Sequence, residues 1–288
     1  NNPAFEFEII EDASEENLIK VLPNFDACTL RVSKLNEKIL SKCKNLKVIS
    51  RHGVGYDNID TNFLKKNNIT LLVTGTTAST SPAEHIMFMI LNISKGKDFY
   101  DKAVREGKFK EIMNMPNNDT FELSNKKILI VGFGRIGRKL IKKCLGFEMQ
   151  VYVCDPFVDK NIIESFGGKK IDKLDDGLKE ADILSLCVPL NKETNNMINL
   201  EKMKIMKKTS IIINTSRGPI IKENDLIHSL ENKLISGAGL DVYDIEPLPK
   251  MHKFRKLEKT CNLVLTPHIG YVSEETYEKF HNGYVLAI

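Results

Sequence analysis

The stretch KILIVGFGRIGRKLIKKCLGFEMQVYVCD, Lys127 to Asp155, constrains the fold most, because it reads as strand, glycine turn, helix, strand and acid in unbroken order. Gly132, Gly134 and Gly137 form G-x-G-x-x-G after an apolar run of strand length. The segment that follows puts Ile136, Leu140, Ile141 and Cys144 on one helical face, as a helix packed against a sheet requires. In this context each glycine answers a separate demand: a tight turn at Gly132, close approach of the backbone to a pyrophosphate at Gly134, and close packing of the helix at Gly137. Backbone N–H groups at the helix start, that of Arg135 among them, face the phosphates. Asp155 follows Gly137 by 18 residues, the spacing of an acid that binds a ribose 2′-hydroxyl. A carboxylate there repels a 2′-phosphate, and no arginine follows in PFVD, so the expected cofactor is NAD.

The same alternation runs almost end to end. FEFEII, DACTL, LKVIS and ITLLV form one set of strand-length runs; KILIVG, QVYVCD, ILSLCVP, SIIINT, SGAGLDV and NLVLTP form a second. Strands alternating with helical segments predict parallel sheets wrapped in helices, and 288 residues suffice for two α/β lobes. Between the sets, SPAEHIMFMILNISKG predicts a long apolar helix linking the lobes, with Ser81 as N-cap, Pro82 in the first turn and Glu84 closing a capping box. His85 and His228 fall in helical patterns and read as structural.

Composition excludes several classes of function. A formal charge of +4 with lysines scattered among acids is no nucleic-acid footprint. No apolar run nears the roughly 20 residues of a membrane span. No leader peptide is visible at NNPAFEFEII, and the cysteine usage below is that of a reducing cytoplasm. The six cysteines, Cys28, Cys43, Cys144, Cys154, Cys187 and Cys261, are widely spaced, favouring free buried thiols over disulfides or zinc, so no metal is expected.

In open α/β sheets ligands gather at the carboxyl ends of the strands. Arg217 follows SIIINTS, Glu246 follows GAGLDVYDI and His268 follows NLVLTP, all on one expected edge. A guanidinium grips a carboxylate with a rigid fork, a histidine exchanges a proton near neutral pH, and a carboxylate orients the histidine. Together they fit reduction of a 2-keto acid, with His268 protonating the oxygen, Glu246 supporting His268, and Arg217 fixing the acid group. Singly, a surface ion pair, a turn before Pro247 or a loop cap would account for each.

VGFGRIG with Asp155, NTSRG, GLDVYDIEP and TPHIG, in this order, resemble the D-isomer-specific 2-hydroxyacid dehydrogenases, from SRHGVGYDNID onward. The resemblance implies a catalytic triad of Arg217, Glu246 and His268. It adds cofactor contacts at Thr74, Arg135, Ile136, Cys187, Thr215, Ser216 and Asp241, the last near the nicotinamide amide. It also implies two doubly wound parallel-sheet lobes: a Rossmann NAD-binding domain, 93–272, inserted into a smaller flavodoxin-like substrate domain, 1–92 with 273–288. Relatives open with one more strand and helix and close with a returning helix, so the smaller domain is expected to be incomplete at both ends.

The resemblance makes SRHGVG the carboxylate loop, where amides of Gly53 and Val54 hold an anion and Arg51 or His52 adds charge. It makes the long helix a homodimer surface. Cys187 stands where many relatives carry threonine or histidine, and Pro82 where many have valine. The expected partner is a small 2-hydroxy or 2-keto acid, with neither nucleic acid nor membrane. Phosphoglycerate, hydroxypyruvate, glyoxylate, D-lactate and sulfonated hydroxy acids all share the head that Arg217 would grip; the resemblance of SRHG to the loop of phosphoglycerate dehydrogenases favours D-3-phosphoglycerate without deciding among them. A nucleotide-sensing, corepressor-like interaction protein on the same fold is the alternative; a Rossmann methyltransferase explains neither the third glycine nor the triad.

Overall fold

Short apolar runs separated by helices leave each strand only parallel neighbours, since a parallel pair needs a long crossover rather than a tight turn. The protein, described here from a computed structural model, follows that rule throughout residues 6–31, 33–51, 53, 55–73, 79–115, 120–259 and 262–278, those the structure describes. It divides into two units, Asn1–Ala78 with Glu274–Ile288, and Ser79–Ser273.

The smaller unit carries three parallel strands, β1 (Ala27–Leu30), β2 (Val48–Arg51) and β3 (Thr70–Val73), in the order β1-β2-β3. Leu18, Leu22, Ile39, Leu40, Ile49 and Leu64 close its core. That strand order runs one way, so among the described residues the reversal that defines a doubly wound sheet belongs to the larger unit. FEFEII is not a strand over its described residues, and Phe7 and Ile9 are 66% and 88% exposed. Its alternation has no sheet face to cover.

The larger unit is built on seven parallel strands: β4 (Lys127–Val131), β5 (Gln150–Cys154), β6 (Lys169–Lys170), β7 (Ile183–Leu186), β8 (Ile211–Asn214), β9 (Gly237–Leu240) and β10 (Asn262–Leu265). Their order, β10-β9-β8-β7-β4-β5-β6, reverses between β4 and β7, the arrangement of a dinucleotide-binding sheet. β7, β8 and β9 are buried at every position, as strands covered on both faces must be. Alternate residues feed two cores. Ile128, Ile130, Ile211 and Ile213 face one side; Leu129, Val131, Leu184 and Ile212 face the other. The two-residue β6 escaped the sequence reading because its lysines carry no apolar signal.

The long helix spans Thr80–Lys95 and ends at Gly96, in the left-handed conformation that closes helices. It begins two residues earlier than expected, with Ser79 as N-cap; Ser81 lies inside the first turn and gives its hydroxyl to the carbonyl of Gly270, 2.8 Å away. Glu84 pairs with Lys143 Nζ at 2.8 Å instead of closing a capping box. Ala83, Ile86, Met89, Ile90 and Ile93 join the sheet core with Ile128 and Ile213. The helix therefore belongs wholly to the larger unit, and the boundary falls between 78 and 79 rather than at 92, because its apolar face is buried there. Among the described residues, no helix is long and apolar enough to cross a membrane.

Candidate active site

The glycine turn leaves β4 with Gly132 at φ +95°, where a side chain is strained. A Cβ on Gly132 would also sit 2.5 Å from the carbonyl oxygen of Cys187, which follows β7. Gly137 packs against the carbonyl of Gly132 so closely that any Cβ would meet backbone. Gly134 differs: nothing stands within 4 Å of the place a Cβ would take. Two glycines are thus required by the fold and the middle one leaves open space at the N-terminus of the helix Arg135–Gly146, where no side chain caps the first N–H groups. This is room and polarity for a pyrophosphate.

Arg135 is exposed at that helix start and Ile136 is half-buried against the core. Asp155, just past β5, accepts the N–H of Phe133 at 2.7 Å and that of Phe157 at 2.8 Å, one on each carboxylate oxygen. Each oxygen keeps acceptor capacity for a ribose hydroxyl. The acid is therefore tied to the glycine turn before any ligand arrives. Cys187 lies at the β4–β7 reversal with its thiol pushed up to about 12 by burial, so it is a neutral, space-filling group beside the glycine turn. Of the six cysteines, Cys28, Cys43, Cys144, Cys154 and Cys187 are free; Cys261 lies outside the described residues.

Beyond β8 the chain is stapled to itself. Ser216 Oγ donates to the Leu186 carbonyl at 2.7 Å, Asn214 Nδ2 to the Arg217 carbonyl at 2.8 Å, and Arg217 Nη1 to the Ser216 carbonyl at 2.7 Å. Thr215 and Ser216 remain half-buried between these anchors. A Cβ on Gly218 would run into the Tyr243 backbone, so the β8 and β9 loops are in contact, which brings Arg217 toward Glu246.

Glu246 accepts the N–H of Tyr243 at 3.0 Å on one oxygen and faces His268 Nδ1 at 2.7 Å with the other. Burial pushes its carboxyl up, but the hydrogen bond and charge of His268, the Tyr243 N–H and the charge of Arg217 outweigh it and hold the group below the ordinary range. His268 has φ +55°, a left-handed backbone that costs a non-glycine residue on the order of 1–2 kcal/mol. Its surroundings fix it there. Asp241, 1% exposed, accepts Thr266 Oγ1 at 2.5 Å, Ile269 N–H at 2.9 Å and Gly270 N–H at 2.8 Å. The Tyr243 hydroxyl lies 2.9 Å from the Thr266 carbonyl. Asp241, expected beside the nicotinamide amide, thus has its oxygens engaged within the protein, under the His268 loop.

In the smaller unit, Arg51 ends β2 and is 9% exposed; a Cβ on Gly53, at φ +117°, would lie 2.9 Å from its Nη1. The guanidinium folds back toward Gly53. His52, Val54 and Thr74 lie outside the described residues. Within the larger unit, all the expected groups stand beyond the carboxyl ends of strands of one parallel sheet. Thr266 was not singled out in the sequence and His85 was read there as structural; the available signal was two polar residues, Ser81 and His85, one turn apart on an apolar helix.

Residues 87–270 match the sequence model of the D-isomer specific 2-hydroxyacid dehydrogenase NAD binding domain. The chain is 34% identical to a D-3-phosphoglycerate dehydrogenase of Archaeoglobus fulgidus over 98% of its own length but 52% of that protein's, so it spans about half of that relative. It is 34% identical to a glyoxylate reductase of Pyrococcus furiosus, over 95% of this chain and 82% of that one. Among solved structures, a D-lactate dehydrogenase from Aquifex aeolicus complexed with NAD and lactic acid superposes with a TM-score of 0.81 at 30% identity, covering 95% of this chain and 84% of the other.

Proposed function

Because the chain belongs to the D-isomer specific 2-hydroxyacid dehydrogenases, we propose that it interconverts a D-2-hydroxy acid and its 2-keto acid, with Arg217, Glu246 and His268 carrying the reaction. The observation that supports this most is the 2.7 Å Glu246–His268 contact on the same sheet edge as Arg217 and the glycine turn. NAD, which Gly132, Gly134, Gly137 and Asp155 are fitted to hold, supplies or accepts the hydride when bound. Arg217 holds the substrate carboxylate and polarises the neighbouring carbonyl. His268 Nε2 delivers a proton to the carbonyl oxygen in reduction and takes it from the hydroxyl in oxidation. Glu246 keeps the ring turned and Nδ1 protonated. Thr215, Ser216 and Cys187 line the cofactor edge, and Arg135 and Ile136 the helix start.

The substrate tail falls to the loop after β2. Arg51 suits a phosphorylated tail, which favours D-3-phosphoglycerate; glyoxylate and hydroxypyruvate lack a tail anion for it. NADH consumption with a panel of 2-keto acids tests the class, and Arg217→Lys should lower kcat/KM by roughly 10- to 10²-fold, the worth of one charge-assisted hydrogen bond. Arg51→Ala tests the tail: loss confined to phosphorylated substrates supports the assignment, and equal loss throughout removes it.

A second copy of the chain is the proposed partner of the long helix. Between it and the helix Arg135–Gly146 runs an apolar groove floored by Met87, Phe88, Leu91 and Phe147, with Phe88 45% and Phe147 42% exposed. Sedimentation of Phe88→Glu as a monomer beside a dimeric parent would support this reading. The free thiols fit a cytoplasmic enzyme.

A further inference from the structure

The helix Thr80–Lys95 presents two polar side chains, one turn apart, to the loop that carries His268. Ser81 Oγ donates to the Gly270 carbonyl at 2.8 Å. His85 Nε2 stands 2.9 Å from Thr266 Oγ1 and 3.5 Å from Asp241 Oδ1, with its side chain 13% exposed. The direction of the hydrogen bonds follows from the acid. Burial pushes the Asp241 carboxyl up, yet His85, Thr266 and the N–H groups of Ile269 and Gly270 hold it below the ordinary range, so it is ionised and only accepts. Thr266 therefore spends its single hydroxyl proton on Asp241 Oδ1, 2.5 Å away, and accepts from His85 Nε2–H.

This chain of contacts grips the catalytic loop on both sides of His268. Thr266 is held before it, Ile269 and Gly270 after it, and the His268 N–H itself closes onto the Thr266 carbonyl at 3.1 Å. A histidine serving only to fill the core would not direct Nε2 at the loop, nor would a serine one turn earlier reach the same segment. The left-handed backbone of His268 persists only where neighbours over-determine it, and the helix supplies two of those neighbours.

We propose that His85 and Ser81 are positioning residues for the reaction: through Thr266, Asp241 and Gly270 they set where the His268 ring stands, without touching substrate. This rests on the dehydrogenase reading above. The test compares His85→Leu, His85→Gln and Ser81→Ala in the full chain by keto-acid turnover, NADH affinity, thermal stability and side-chain nitrogen NMR of His268. His85→Leu should lower kcat by up to roughly 10²-fold, the effect of a displacement near 1 Å, while NADH affinity and Tm stay near the parent. Its His268 signal should change from one tautomer, protonated at Nδ1, to a mixture.

His85→Gln places an amide N–H where Nε2 stood and should restore both turnover and spectrum. Ser81→Ala, which removes one hydroxyl, should show a smaller change of the same kind, and decides the matter if His85→Leu does not fold. Parent-like turnover and His268 spectra in the variants overturn the proposal; so does a loss of kcat that merely follows Tm and NADH affinity. If the parent turns over no 2-keto acid, the dehydrogenase reading fails, while the His268 spectra still decide whether the brace exists.

Discussion

His268 Nδ1 lies 2.7 Å from Glu246 Oε2, and this contact decides which ring nitrogen is free to work. An ionised carboxylate accepts only, so Nδ1 carries a proton and Nε2 is the nitrogen left for the proposed exchange with substrate. His268→Gln should lower turnover by roughly 10² to 10⁴-fold with NADH affinity unchanged, measured by steady-state kinetics and cofactor fluorescence. Unchanged turnover would remove His268 from the mechanism.

The glycine turn predicts two opposite phenotypes. Gly137→Ala drives a methyl group into the Gly132 carbonyl, and backbone cannot yield as a side chain does, so destabilisation of about 1–3 kcal/mol is expected together with weaker NADH binding. Gly134→Ala meets nothing within 4 Å and should melt like the parent while losing NADH affinity. Calorimetry and fluorescence titration of both separate packing from ligand contact; a fall in Tm for Gly134→Ala would contradict the open site.

Asp155 joins cofactor choice to loop shape, because its oxygens also hold the Phe133 and Phe157 N–H groups. Asp155→Asn should therefore weaken NADH binding and narrow the NADH over NADPH preference, read from the ratio of kcat/KM with each. A variant that keeps the full preference would show that some other group excludes the 2′-phosphate.

Acid should loosen the loop that carries His268. Both Glu246 and Asp241 have carboxyls held below their ordinary values of 4.5 and 3.8. Each therefore contributes stability that is present above its ordinary value and lost as pH falls through the lower folded one. Tm should drop steeply below about pH 4. In Asp241→Asn that drop should be shallower, from a lower plateau, since an amide leaves one of the loop donors without an acceptor. A parallel pH profile in parent and variant would count against the coupling.

The positions of the glycine turn, Asp155 and the proposed triad past strand ends were legible because six strand-length apolar runs marked those ends. FEFEII misled because alternation signals a half-buried face without showing that a partner sheet exists. The long helix was recognised, but its allegiance was not: an apolar face states that something covers it, not which sheet does so. Ser81 looked like a cap because serine before proline favours one; the nearby Gly270 carbonyl, far along the chain, took the hydroxyl instead. Asp241 showed the same limit. Its acidic character was visible in GLDV, whereas its three loop donors come from 25 to 29 residues downstream.

The sheet order also has a kinetic side. β4 is flanked by β5 and by β7, and β7 follows it only after β5, β6 and their helices have been laid down, so no hairpin seeds the centre of the sheet. Such non-local pairing slows folding. The β4–β7 seam is also where Gly132 meets the Cys187 carbonyl. Refolding chains should acquire NADH fluorescence only when that seam closes, making the cofactor a clock for that step.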